Sequence, residues 1–366
     1  MMFLSKIKLV NFKNIATADI EFSPKINCIC GNNGEGKTNL LDAIYYLSMT
    51  KSFLSSSDKY TYMHGTDAVS LSGAYNLGSE GVENVLIKLS VDGGKTIRRN
   101  SKLCKRASEL IGNFPVAVVS PSDISLVNDS GEERRRFLNM MLSQTDGEYL
   151  RRLMNYNKIL RQRNALLKQD RPSEILLDTL SAQIAPDGDY IMACRREAVA
   201  RISEYAMRYY DMIADSKEEI SMRYVSDVMD VPMLEELGKV RQRDVVMKYT
   251  TVGIQRDELE FFMNGHPLKK CASQGQQKSF LVAVKMAQYE LMKEIYGKEP
   301  ILLLDDVFDK LDKNRVASLI EMVLKDSFGQ VFITDSDKRR TEEIVKSVTI
   351  CGKYFNVTAG AFEEIV

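Results

Sequence analysis

Gly31-Asn32-Asn33-Gly34-Glu35-Gly36-Lys37-Thr38 fits the pattern G-x-x-x-x-G-K-[ST] without a mismatch. Its glycines let the backbone wrap so that N–H groups face phosphate oxygens. A helix that follows adds the positive end of its dipole. In this pattern Lys37 reaches the β and γ phosphates and Thr38 holds Mg²⁺. The flanks suit the motif. The apolar run Asn27-Cys28-Ile29-Cys30 precedes the loop, and Leu40, Leu41, Ile44 and Leu47 mark a helix after it. Strand, glycine loop and helix together predict an α/β fold built around a nucleotide, against the alternative of a chance glycine turn.

A partner for this loop stands far downstream. Leu302-Leu303-Leu304-Asp305-Asp306 is an apolar strand ending in two carboxylates. Alone, an Asp after a strand is equally a turn residue. With a phosphate loop upstream it reads as Walker B, Asp305 on Mg²⁺ and Asp306 beside the attacking water. Ahead of it, Ala272-Ser273-Gln274-Gly275-Gln276-Gln277-Lys278 resembles the ABC signature, with Ser273, Gly275 and Gln276 as nucleotide contacts. In ABC ATPases that segment acts on the γ-phosphate held by the opposite subunit. Asp309-Lys310-Leu311-Asp312 stands where a D-loop belongs, and Asp312 joins the candidates. Thr38 and Asp305 are 267 residues apart, wider than a compact transporter ATPase places them.

Composition narrows the class. The chain has 366 residues, and 50 Lys+Arg balance 50 Asp+Glu. Two lobes suit that length at roughly 100–200 residues per domain. Zero net charge excludes a uniformly basic protein but not a local basic patch. With 44% hydrophobic and 27% charged residues, disordered, collagen-like and disulfide-scaffold classes are excluded. No apolar run reaches the roughly 18 residues of a membrane span. Lys6 and Lys8 interrupt any signal-peptide core, so a soluble cytoplasmic protein is expected. The six cysteines form no C-x-x-C pair and read as buried thiols, Cys28 and Cys30 on one strand face.

The remaining pattern predicts how the lobes are laid out. Residues 1–30 read as two strands, and 60–118 as a β meander turning at Asp92-Gly93-Gly94. Ser130 to about Met229 reads as mainly helical, opening on a capping box with Ser130 as N-cap and Glu133 at N3. A long helical stretch over about 174–215 is expected to break or kink at Pro186 and Gly188. Phe280, Val284, Ala287, Leu291 and Ile295 mark another helix, ended by Gly297. Ile301–Leu304 and Val331–Ile333 suit strands of a parallel sheet buried on both faces. The expectation is an ATPase lobe from 1–119 and 246–366, with an inserted helical lobe at 120–245.

Short segments along nearly the whole chain then resemble one family. These are Asn11-Phe12-Lys13-Asn14, Lys51-Ser52-Phe53, Ser120-Pro121-Ser122-Asp123, Glu133-Arg134-Arg135-Arg136-Phe137-Leu138-Asn139 and Tyr156 to Asn164 with its Gln162-Arg163-Asn164 ending. Gly329 to Thr334 fits as well. Together they resemble the RecF branch of the SMC/Rad50-type ABC ATPases. The resemblance implies a Rad50-head-like P-loop ATPase domain with an inserted, mostly α-helical second lobe. It implies ATP and Mg²⁺ as cofactors, Lys13 and Asn39 as further nucleotide contacts, and an ATP-dependent homodimer. It also implies double-stranded and gapped DNA, RecR and RecO as partners, RecA loading at single-strand gaps, and the SOS response. Three departures stand out. Gln255 replaces the usual His of G-P-H-R-D-D, Leu54 replaces an Arg, and Thr334-Asp335 occupies the switch position where ABC enzymes carry His. The Q-loop position falls near Ser120.

DNA contact is assigned to charge. Gly131–Lys168 carries Arg134, Arg135, Arg136, Arg151, Arg152, Lys158, Arg161, Arg163 and Lys168 against four acids, a net +5. Either these form a salt-bridged helical face or they meet phosphates without sequence readout. Lys95, Arg98, Arg99, Lys102, Lys105 and Arg106 on the meander are a second candidate. The reading is an ATP-dependent DNA-binding repair protein with slow hydrolysis, since Asp306 is one methylene shorter than the usual Glu. A transporter ATPase subunit is the alternative.

Overall fold

The computed structural model describes residues 1–365 apart from 56, 130, 215–217, 309–310, 312, 325–327, 341–342 and 344–351. The first strands are β1 (Phe3–Phe12), β2 (Ile15–Glu21) and β3 (Ile26–Cys30), followed by α1 (Lys37–Met49). The meander is β4 (Ala68–Asn76), β5 (Val82–Ser90), β6 (Gly94–Arg99) and β7 (Lys102–Leu103), and β8 (Val116–Val119) follows it. Helices α2 (Ser125–Asn128), α3 (Gly131–Thr145), α4 (Gly147–Leu167) and α5 (Glu174–Ala214) lead to β9 (Ile220–Val225). Then come α6 (Met233–Lys239), α7 (Arg241–Met247), β10 (Glu258–Met263), β11 (His266–Pro267), α8 (Leu268–Cys271) and α9 (Gln274–Tyr296). The chain closes with β12 (Ile301–Asp305), α10 (Lys313–Leu324), β13 (Val331–Asp335), β14 (Gly352–Thr358) and β15 (Ala361–Ile365).

Two sheets enclose α1. One is antiparallel, in the order β2-β1-β4-β5-β6-β7. The other runs β15-β14-β3-β13-β12-β8, parallel except for its edge strand β15. Alternation along the strands divides the core. Ile29, Leu303 and Phe332 face α1 and the antiparallel sheet, whereas Cys28, Cys30, Leu302, Leu304 and Ile333 face the helices. The two thiols do share a face. α1 is buried all round, through Leu40, Leu41, Ile44 and Leu47, because it lies between the sheets. On the other side α9 packs against α5 and the parallel sheet, and it ends at Gly297 in the left-handed region.

Several expectations are corrected. Residues 1–30 hold three strands. β2 escapes a hydrophobic pattern because it is an edge strand with its outer face in water. A strand, β9, interrupts the stretch read as helical, and its partner β10 lies beyond residue 246. The inserted segment therefore shares a three-stranded sheet with the C-terminal part. Helix α5 continues through Pro186 and Gly188. Tertiary contacts hold it there: Arg152 donates to the Pro186 carbonyl at 3.3 Å, and Asn155 to Asp187 at 2.7 Å. Cys271 is exposed, unlike buried Cys28 and Cys30. The Ser130 cap lies outside the described residues.

Candidate nucleotide-binding site

The glycine loop bridges the C-terminal end of β3 and the start of α1, at the C-terminal edge of the parallel sheet. That edge is where ligands bind in open parallel sheets. Gly31 is required by close approach, since a Cβ there would sit 2.5 Å from the Val357 carbonyl oxygen. Gly36 caps α1 at φ 114°, a left-handed conformation that favours glycine. No side chain caps this helix and no acid lies in its first turn, so its N–H groups remain available to an anion.

Two distant turns clamp the loop: the β1–β2 turn, from which Lys13 was the expected contact, and the β14–β15 turn, which was not read as part of the site. Asn14, between β1 and β2, donates to the Gly34 carbonyl at 3.2 Å and accepts from Asn39 at 2.7 Å. From the β14–β15 turn, Gly360 donates to the Glu35 carbonyl at 2.8 Å, and the Ala359 amide donates to the Glu35 carboxylate. Lys37 is buried, and its ammonium donates to the carbonyls of Gly31 at 2.7 Å and Asn32 at 3.1 Å. Incoming phosphate oxygens would replace those carbonyls.

One member of the acidic pair, Asp305, contacts the loop. Thr38 donates its hydroxyl to Asp305 at 2.8 Å, and Thr334 donates to the same carboxylate at 2.8 Å. Burial pushes the Asp305 carboxyl above its ordinary range, opposed by the two hydroxyls, while neighbouring Asp306 adds to the rise. A hydroxyl and one carboxylate are hard oxygen donors of the kind Mg²⁺ takes together with phosphate oxygens and water. Among the described residues no cluster of three His, Cys, Asp or Glu side chains competes as a metal site. Asp306 lies at φ 44°, its amide held by Thr334 at 3.0 Å, and its carboxylate makes no hydrogen bond or ion pair among the described residues. Thr334 thus serves the acidic strand from the switch position.

Other candidates lie elsewhere. Ser273 is the N-cap of α9 in a capping box with Gln276, whose amide also donates to Glu218 at 2.7 Å. Gly275 sits on the same first turn, and no hydrogen bond joins this segment to Lys37 or Thr38. Lys13 forms an ion pair with buried Asp42 at 2.6 Å rather than bonding the loop. Asp42 also accepts from Ser52 and from the Phe53 amide, so Lys13 and the Lys51-Ser52-Phe53 segment converge on α1. Asp309, Lys310 and Asp312 lie outside the described residues. Ser120 and Asp123 line a cavity of about 390 Å³ with Gln274 and Gln277, so the glutamines near the expected Q-loop come from α9.

Most of the basic helical segment is already paired. Arg163 is buried on Asp244 at 2.7 Å, and half-buried Arg134 pairs with Glu258 at 2.6 Å. Arg135 donates to the Asp257 carbonyl, and Arg151 and Arg152 share Glu148. The Gln162-Arg163-Asn164 ending is therefore largely core architecture, with Asn164 accepting from Thr250 at 2.8 Å. Gln255, in place of the usual His, accepts the Tyr156 hydroxyl at 2.5 Å. Lys158, Arg161 and Lys168 are exposed without an ion pair among the described residues. On the meander, Arg99 is held by Glu83 and Lys95 by Asp58.

Comparison with known proteins agrees with this geometry. The model of the RecF/RecN/SMC N terminal domain matches residues 3–355. The DNA replication and repair protein RecF of Porphyromonas gingivalis is 40% identical, covering 98% of this chain and 99% of its own. RecF of Parabacteroides distasonis is 39% identical over the whole of both chains. A solved structure of the recombination mediator protein RecF-ATP in the RecFOR pathway superposes with a TM-score of 0.89 at 27% identity, covering 100% and 98% of the two chains. The Smc head domain of Pyrococcus furiosus shares the fold alone, at a TM-score of 0.59 and 14% identity. Among the described residues no helix is long and apolar enough to cross a membrane, and none of these relatives is a transporter subunit. Full-length identity, the matching fold and the assembled phosphate-loop and acidic motifs place the chain in the RecF family of DNA replication and repair proteins, ABC-type ATPases of the RecF/RecN/SMC group.

Proposed function

We propose that this chain is an ATP-dependent DNA-binding switch. The observation that carries the reading is the 2.8 Å contact between Thr38 and Asp305, which joins motifs 267 residues apart into one hydroxyl–carboxylate pair. Gly31 to Thr38 and Asn39 cradle the nucleotide, and Lys37 exchanges its loop carbonyls for the β and γ phosphates. Thr38 and Asp305 hold Mg²⁺, which neutralises charge developing on the phosphates. The Asp306 carboxylate, without a hydrogen bond or ion pair among the described residues, orients the attacking water.

Ser273 and Gly275 act on the nucleotide of a second copy, since within one chain they make no bond to the loop. ATP therefore closes a homodimer on duplex or gapped DNA, and slow, DNA-stimulated hydrolysis opens it. Within each subunit the ATPase lobe is 1–119 with 246–366, and 120–245 forms the helical lobe. RecF-type work follows: loading of RecA at single-strand gaps with RecO and RecR.

Binding to a gapped duplex, measured with ATP, ADP or no nucleotide while light scattering sizes the protein, tests this. Dimerisation and DNA binding should both need ATP and both vanish in Lys37→Ala. DNA binding absent even at low salt, where phosphate contacts are strongest, refutes the reading. In the same preparation Asp306→Glu should raise kcat. An unchanged or lower kcat rejects the short side chain as the cause of slow turnover.

A further inference from the structure

A cavity of about 490 Å³ lies at the seam between the far end of α1 and the helical lobe. Lys51 borders it just beyond α1, and Arg135 and Arg136 border it from α3. Arg195 lies at the same wall, and Glu132 is the single carboxylate there. Arg195 is satisfied by Asp257 at 2.6 Å. The other three cations are not matched in this way. Arg135 has one hydrogen bond, to a carbonyl oxygen at 2.7 Å. Arg136 is 3.6 Å from Glu133 and 3.4 Å from the Phe53 carbonyl oxygen. Lys51 makes no ion pair or hydrogen bond among the described residues.

Ion-pair clusters that serve only packing bring carboxylates to their cations, as Arg163 and Asp244 do here. This wall gathers cations instead. The Lys51 side chain is exposed overall, yet desolvation of its ammonium and the nearby Arg136 charge hold it below its ordinary range. Burial likewise lowers Arg135. A bound anion would offset both costs.

We propose that this cavity is a second anion site, which takes a phosphate group joined to a nucleoside-sized body. Arginine forks match phosphate oxygens in pairs. Met49, Ile111 and Met140 supply an apolar wall, and the volume falls in the range of small-molecule pockets. The site is separate from the glycine loop. α1 starts at Lys37 and ends at Met49, which sets the two roughly 20 Å apart at 1.5 Å per residue. The inference goes beyond the ATP-switch reading and does not depend on it. The phosphate belongs either to a free mononucleotide or to a DNA strand, and the chemistry of recognition is shared.

Pyridoxal 5′-phosphate is the probe. Its phosphate seeks the arginines, while its aldehyde condenses with the Lys51 amine and releases water. Borohydride then reduces the imine to a stable secondary amine, and peptide mapping of the full-length protein locates it. Lys51 should label at least severalfold faster than the likewise exposed Lys59 and Lys158, because the arginines hold the probe's phosphate beside its amine. Inorganic pyrophosphate should slow that labelling. Protection by dAMP alone identifies a free nucleotide, and protection by a duplex oligonucleotide identifies a DNA phosphate; both support the site. Labelling of Lys51 no faster than Lys59, or untouched by every competitor, overturns it. Arg135→Gln should reduce the protection and Arg135→Lys should keep most of it, and the competition in the unmodified chain needs no variant to fold. Lys37 is read on a different peptide, so failure of the nucleotide site and failure of this one are distinguishable.

Discussion

Asp305 is 3% exposed and accepts hydroxyls from Thr38 and Thr334. Burial raises its carboxyl pKa in the folded chain, against the lowering effect of those hydroxyls. A carboxyl that holds its proton more tightly when folded stabilises the fold while protonated. That stability is lost as pH rises from the ordinary carboxylate range through the folded value. At neutral pH the ionised side chain therefore costs stability. Asp305→Asn keeps the shape and cannot ionise. Urea unfolding of nucleotide-free protein should show the variant more stable than the parent at pH 7, with the margin shrinking towards about pH 4. The same change should abolish Mg²⁺-dependent ATP binding. A parent as stable as the variant at pH 7 would mean that the two hydroxyls outweigh burial. Residues of this kind were legible in sequence because each motif is short: eight positions carry the loop, five the acidic strand. Asn14 and Thr334 stood in stretches that the family resemblance marked, but their bonds to the motifs were not legible, and Gly360 carried no mark at all. Asn14 binds from the β1–β2 turn, Thr334 from β13 and Gly360 from the β14–β15 turn.

Elements were legible where burial is continuous. α9 is buried all round from Ser279 to Tyr289, and β12 and β13 along their whole length, so their apolar runs stand out, although Ile295, read as part of the α9 stripe, is exposed. β2 and α5 were misread because neighbours, not local pattern, settle them. In α5 the glycine that looked like a breaker is a contact. A Cβ on Gly188 would meet the Met233 sulfur at 2.1 Å and a Tyr156 ring carbon at 3.2 Å. The bare backbone lets α6 and α4 close on α5 at that turn. Gly188→Ala should gain helix propensity yet cost roughly 1–3 kcal/mol through overpacking. In a Met233→Ala background, itself destabilised by about 2–5 kcal/mol, the same change should cost far less. A double-mutant cycle by denaturant unfolding should return a coupling of about 1 kcal/mol or more. Equal costs in the two backgrounds would exclude the packing account.

For the whole molecule, the net charge of the helical segment was visible in sequence, but its distribution was not. The pairs that consume it are non-local: Arg163 meets Asp244 across 81 positions, and Arg134 meets Glu258 across 124. What remains without an ion pair among the described residues on α4 is Lys158 and Arg161, with Lys168 at its C-cap. Their spacing of three and seven residues keeps them near one face, over roughly 15 Å at 1.5 Å per residue. That strip is long enough to meet successive phosphates of one strand. If the ATP-closed protein grips DNA there, each lost contact removes about 0.9 from the slope of log K against log salt. A Lys158→Ala, Arg161→Ala, Lys168→Ala triple variant should lower that slope by roughly 2–3 and leave ATP binding intact. Arg134→Ala should do the reverse. Its guanidinium is held by Glu258, so its loss should weaken the fold while the slope stays put. A triple variant with the parent's slope would move the DNA track to another face, with the exposed Arg98 on β6 of the meander next to be tested.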